Sequence, residues 1–124
     1  MSATTNHLEL DEKAVGELEA SFRGELVRPG GAGYEEHRRI WNGSIDRSPA
    51  LVARCAGVAD VMAAVRLAAD TGVSLAVRGG GHSFPGYSVC DGGIVLDLGL
   101  MKGIRVDPEG RTVRAQAGVL LGEL

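Results

Sequence analysis

A mixed α/β fold is what this sequence predicts, and three observations predict it. An apolar run at 50–54 is followed by a helical period over 60–71 and, one glycine later, by a second apolar run at 74–77, the order of a βαβ unit. The second run opens into a strand–glycine loop–strand unit, with Gly79-Gly80-Gly81 lying between 74–77 and the apolar stretch 94–98. Last, Ile104-Arg105-Val106 and residues 111–116 flank Asp107-Pro108-Glu109-Gly110, the signature of a β-hairpin.

Taken in order, residues 8–26 carry a helical pattern, with Val15, Leu18, Phe22 and Leu26 at three- and four-residue steps and Glu12, Glu17, Glu19 and Arg23 between them. Pro29-Gly30-Gly31 cannot continue it. Residues 33–43 predict one or two helical turns in which Tyr34, Arg38 and Trp41 share a face, with Trp41, the single tryptophan, expected to pin this arm to the core. Pro49 precedes the first strand. In 60–71, Val61, Ala64, Val65 and Ala68 form the apolar stripe and Gly72 is the C-terminal stop. Two strands joined by so short a helical crossover should run parallel. The strand at 74–77 reads as buried. In the hairpin, Pro108 suits the second turn position and Gly110 a left-handed conformation. Residues 117–124 begin a further helical pattern. A helix that stops within its first two turns is marginal on its own, so the chain is expected to be a fragment of a longer protein. The division this implies is a helical arm over 1–45 and an incomplete domain over 46–124.

Composition narrows the function. In 124 residues, a hydrophobic content of 44% supports a core. A net charge of −3 with 4% aromatics offers neither a basic field nor stacking platforms, which argues against nucleic-acid binding. No apolar run reaches membrane-spanning length, and the first residues lack a basic stretch followed by an apolar one, so a soluble, cytoplasmic protein is expected. The 19 glycines cluster at turns without a period. Cys55 and Cys90 have neither the CxxC spacing nor the density of a disulfide scaffold.

The chemistry concentrates in Arg78-Gly79-Gly80-Gly81-His82-Ser83. Three glycines remove every Cβ where a strand ends, so a ligand can approach the main chain closely. Successive N–H groups in such a turn form a concavity for anions, and Arg78 is expected to add positive charge at its edge. Pro85-Gly86 and Gly92-Gly93 make two further turns. The unit reads as a loop that holds a diphosphate. A Rossmann site would have its glycines open a helix, and a nucleotide-triphosphatase loop would require Gly-Lys-Ser/Thr; neither is present. No metal site is expected, because His7 and His37 show no ligand spacing with His82. Asp97 reads as a strand-end carboxylate bonded to loop backbone rather than a catalytic group, and Cys55 as a small buried hydrophobe.

These residues carry a resemblance. Tyr34, Arg38, Trp41-Asn42, the Arg78–Ser83 run, Gly86-Tyr87-Ser88, Asp91-Gly92-Gly93 with the strand after it, Met101, Val106-Asp107-Pro108 and Ala117-Gly118-Val119 stand in the order of the berberine bridge enzyme-like group. That group is part of the wider family of flavin-linked oxidases with a PCMH-type (vanillyl-alcohol oxidase) FAD-binding domain. The similarity runs over roughly 28–124. It implies a partial FAD-binding domain of that type, with Arg78, Gly79, Gly80, Gly81, His82, Ser83, Gly86 and Tyr87 wrapping the FAD pyrophosphate and Gly118 approaching the flavin. It also implies covalent attachment of FAD through His82, the alternative being a hydrogen-bonded loop histidine beside a non-covalent flavin. A neutral imidazole is nucleophilic enough at neutral pH for such a bond. The second attachment cysteine of some relatives lies well downstream of the histidine loop, so Cys90 does not inherit that role. The activity implied is an FAD-dependent oxidoreductase taking hydride from an alcohol, sugar or amine C–H and passing electrons to O2 or another acceptor, with FAD and a small-molecule substrate as partners. No catalytic base is identifiable among these residues, and the fragment alone is expected to be inactive. A non-catalytic FAD- or nucleotide-binding module and an inactive gene remnant are the alternatives.

Overall fold

The computed structural model describes residues 10–83 and 85–124. In chain order its elements are α1 (Glu12–Ser21), β1 (Glu25–Val27), α2 (Tyr34–His37), β2 (Leu51–Arg54), α3 (Val58–Thr71), β3 (Leu75–Arg78), β4 (Ile94–Asp97), β5 (Ile104–Asp107) and β6 (Thr112–Ala115), followed by a 3-10 turn at Leu121–Glu123. A four-stranded sheet ordered β1-β2-β4-β3 forms the centre, and β5 and β6 pair separately as an antiparallel hairpin.

The βαβ expectation holds with one difference. β2 and β3 do run in the same direction, but each pairs with β4, which lies between them. The reason is in β4 itself: Ile94, Val95 and Leu96 are all buried, so both faces need cover, which a central position supplies. Alternation then sorts the core. Leu51, Ala53, Ile94 and Leu96 point to the face covered by α1 and α3, while Val52 and Val95 point to the other, with Val27, Tyr34 and Val89. Full burial of a side chain such as Leu51 or Ile94 contributes about 1.5–3 kcal/mol. β3 is an edge strand, and its Val77 is exposed rather than buried as expected.

Several expectations for the flanks are corrected. The helical pattern over 8–26 stops at Ser21; Phe22 is already extended, and Leu26 lies in β1, opposite Ala53 of β2. Asp60 causes this break. Its carboxylate accepts from the N–H groups of Arg23 (3.0 Å) and Gly24 (2.9 Å), turning the chain out of the helix and into the sheet, and from Ala56 N–H (2.9 Å) just before α3. Leu8 and Glu9 of that pattern lie outside the described residues. In α3 the buried stripe is Ala64, Leu67 and Ala68 with Val61 partly buried; Val65 is exposed, and Gly72 caps the helix at φ 75° as predicted. Trp41 is 70% exposed and anchors nothing in the core. That role falls to Tyr34, whose buried ring sends its hydroxyl to Pro49 O at 2.7 Å. In the hairpin the left-handed residue is Arg111 (φ 53°), not Gly110, whose N–H donates to Asp107 Oδ1 at 3.2 Å. Residues 121–123 form a 3-10 turn instead of an α-helix, because Glu123 Oε1 reaches back to Leu120 N–H at 2.8 Å and tightens it. No helix among the described residues is long and apolar enough to cross a membrane.

Asp60 also couples the fold to acid. Burial alone would raise its pKa, but the N–H donors of Arg23, Ala56 and Gly24 outweigh that and hold the carboxyl below its usual range. A carboxyl depressed in the folded state contributes stability above its unfolded value of about 3.9, and that contribution is lost as pH falls through the folded value. Urea midpoints measured across this range should therefore fall in acid, and Asp60→Asn should reduce stability at neutral pH with the gap to the parent closing as pH drops. A gap that stays constant with pH would refute the assignment.

Candidate cofactor site

The site forms at the C-terminal ends of the parallel strands, where α/β sheets place their ligands. One rung of the sheet crosses all four strands there: Glu25 is opposite Arg54, Arg54 opposite Asp97, and Asp97 opposite Arg78. The charges alternate along it. Arg54 binds Glu25 at 3.1 Å and Asp97 at 3.2 Å, and Arg78 binds Asp97 at 2.6 Å. Asp97 Oδ1 also accepts from Gly99 N–H at 2.8 Å, the strand-end role read from the sequence. Its pairing with two arginines was not legible there, since it depends on register.

Arg78 differs from expectation. Its guanidinium is buried and committed to Asp97 and to the carbonyls of His37 and Arg39 (the latter 3.1 Å), so it does not stand as a free charge at the loop edge. Instead it straps the segment 37–41 across the glycine loop, where Trp41 N–H donates to Gly81 O at 2.8 Å.

The loop follows directly. None of the backbone N–H groups of Gly79, Gly80, Gly81, His82 and Ser83 donates to another described residue, so this run of donors is available to an external acceptor. Gly81 is left-handed at φ 74°, a conformation that favours glycine. Gly79 packs on the chain itself, where a Cβ would stand 2.8 Å from Ala117 O. Gly80 has ordinary φ, but a Cβ on it would stand 2.8 Å from His82 Cδ2. His82 is exposed, with its ring centroid 5.9 Å from that of Trp41. Ser83 turns the chain: its carbonyl accepts from Gly86 N–H (3.1 Å) and its hydroxyl from Tyr87 N–H (3.1 Å). Gly86 is left-handed at φ 84° and is held by Arg47, which donates to Gly86 O at 2.6 Å; no local pattern marks Arg47 for this role. Tyr87 is exposed, and Ser88 Oγ is buried without a hydrogen-bond partner among the described residues. Gly118 sits close to the loop's other flank, but the close approach it permits is to its own chain: a Cβ there would lie 2.0 Å from Leu98 O.

The two thiols are inert by comparison. Burial pushes Cys55 up to about 12, and burial raises Cys90 as well. Among the described residues no group of three His, Cys, Asp or Glu side chains could hold a metal ion.

The residues present fit a dinucleotide flavin. A row of N–H donors without a partner among the described residues suits a pyrophosphate, glycines keep the backbone approachable, and an exposed imidazole stands within the row.

Comparison with known proteins identifies the family. A family model described as FAD binding domain matches residues 49–124. The chain is 43% identical over 104 residues to (R)-6-hydroxynicotine oxidase of Paenarthrobacter nicotinovorans, covering 84% of this chain and 23% of that relative. The structure of glucooligosaccharide oxidase from Acremonium strictum, whose FAD is named as 6-S-cysteinyl, 8α-N1-histidyl, aligns with TM-score 0.78 at 30% identity, over 88% of this chain and 23% of its own. Berberine bridge enzyme-like 1 of Physcomitrella patens aligns with TM-score 0.73 at 29% identity, over 80% of this chain and 22% of its own. The chain thus spans about a quarter of the length of the proteins it matches.

Proposed function

The chain belongs to the FAD binding domain family of FAD-linked oxidases, berberine bridge enzyme-like proteins among them, and on that premise we propose that it forms the first part of the flavin site of an FAD-dependent oxidoreductase. The observation that carries this is the run of five N–H groups at 79–83 that donate to no other described residue, with the exposed His82 in fourth place. In this reading Gly79 to Ser83 bind the pyrophosphate through backbone, Gly86 and Tyr87 close the second turn against it, and Gly118 approaches the flavin. His82 is the covalent attachment point. Arg78 serves through structure, by fixing the strap over the loop. Bound FAD supplies the hydride-accepting chemistry, and the protein's part is to hold, orient and tune it.

The substrate class is a small molecule oxidised at a C–H next to an alcohol or amine, or on a sugar carbon, with O2 or another acceptor taking the electrons. Relatives named as nicotine and oligosaccharide oxidases support both halves of that range. Residues 1–45 act as a helical arm that also lends β1 to the sheet, and 46–124 as the start of the FAD-binding domain, in a cytoplasmic protein.

The test is the mass, under denaturing conditions, of the polypeptide isolated from its own host and of its proteolytic peptides, with flavin released on denaturation measured by absorbance. A mass increment equal to FAD on the polypeptide, and on its peptide bearing His82, is the expected result. A polypeptide with neither released nor attached flavin would refute the assignment.

A further inference from the structure

We propose that Trp41 and Gly80 form a clamp that fixes the orientation of the His82 imidazole, with Trp41 as a positioning residue and Gly80 as the space the ring occupies. The proposal rests on the reading above, in which His82 faces the flavin.

Gly80 supplies the first argument. Its φ lies outside the left-handed region, so the backbone there does not call for glycine. What a side chain there would meet is the neighbouring ring: a Cβ would stand 2.8 Å from His82 Cδ2 and 3.4 Å from Nε2, so the imidazole would have to turn aside. The imidazole is folded down over residue 80, and any side chain there would push it away.

Trp41 supplies the second. A tryptophan that is 70% exposed adds little to the core, and the ring contact the structure gives it is with His82, at 5.9 Å between centroids and 39° between planes. That lies within the range of favourable tilted aromatic pairs. The backbone that carries the indole is fixed, because the Trp41 main-chain N–H donates to Gly81 O at 2.8 Å. The residues just before it are strapped by the Arg78 guanidinium through His37 O and Arg39 O, and Arg78 is held in turn by Asp97. Loop and clamp are thus one body tied to the sheet. An exposed histidine without such contacts samples several staggered rotamers. A reacting imidazole held in one of them meets its partner far more often in productive geometry.

The experiment has two arms. In the 124-residue chain, three-bond couplings across χ1 of His82 report whether one rotamer is held. Single-rotamer values are expected in the parent and in Trp41→Phe, averaged values in Trp41→Leu, and a different rotamer in Gly80→Ala. Amide resonances outside 37–41 and 79–83 should stay in place, since Trp41 lies outside the core. In the flavoprotein, apoprotein is mixed with FAD, and acid-stable flavin is followed separately from total bound flavin. Trp41→Leu should slow the acid-stable fraction about tenfold or more at unchanged total binding, with Trp41→Phe recovering much of the rate. Averaged couplings in the parent, or single-rotamer couplings retained in Trp41→Leu, would overturn the clamp. So would equal rates of acid-stable attachment. If the parent binds FAD with no acid-stable bond at all, the covalent assignment fails, and the couplings alone decide the clamp.

Discussion

Replacing Asp97 by alanine is expected to lower the unfolding free energy by about 3–5 kcal/mol, a large share of what a domain of this size possesses. The Asp97 side chain is 5% exposed and that of Arg78 9%, so the arginine would be left buried with its charge uncompensated. The loss also removes the acceptor for Gly99 N–H and the central member of the rung that joins β2, β4 and β3. Asp97→Asn should cost less, because the amide oxygen still accepts one of these bonds. Urea unfolding followed by far-ultraviolet circular dichroism measures both. A loss below about 1 kcal/mol for the alanine variant would show that the rung is an exposed, screened ion pair. The consequence for function is direct, since Arg78 released from Asp97 no longer straps segment 37–41 over the glycine loop.

His82→Ala should abolish acid-stable flavin in the flavoprotein while part of the FAD remains bound. Retention follows from the geometry: the donors that meet the pyrophosphate are backbone N–H groups of 79–83, which the substitution leaves in place. Folding should be unaffected, because the side chain is exposed and, among the described residues, gives up the ring contact with Trp41. Flavin absorbance in the acid-precipitated pellet, read against total flavin before precipitation, separates the two effects. Flavin that remains with the pellet of this variant would place the tether on another residue. Loss of all flavin, bound and attached, would mean that the imidazole contributes to binding as well as to attachment.

The site was legible in the sequence where chemistry is local. Contiguous glycines after a short apolar run, followed by one histidine and a second apolar run, specify a strand end with open backbone whatever surrounds it, and the left-handed Gly81, Gly86 and Gly72 are local requirements of the same kind. The hairpin followed from its turn residues, although its left-handed position fell one residue later, at Arg111, because the Asp107 carboxylate is bonded to Gly110 N–H. Helix α3 and its stop followed from periodicity and Gly72.

The set of elements, the glycine loop and the family they belong to follow from residues close together along the chain. How these residues meet follows only from contacts made in the folded state. The insertion of β4 between β2 and β3 depends on burial of both its faces, which a run of three apolar residues allows but does not impose. The alternating rung from Glu25 to Arg78 exists only once four strands separated in sequence share one register. Leu26 left its helical pattern because Asp60, far along the chain, captured the N–H groups of Arg23 and Gly24. Trp41 read as a core anchor because tryptophan usually is one. The fold spent Tyr34 on the core and left the indole beside His82, since a side chain's neighbours are set by contacts distant in sequence and not by its own hydrophobicity.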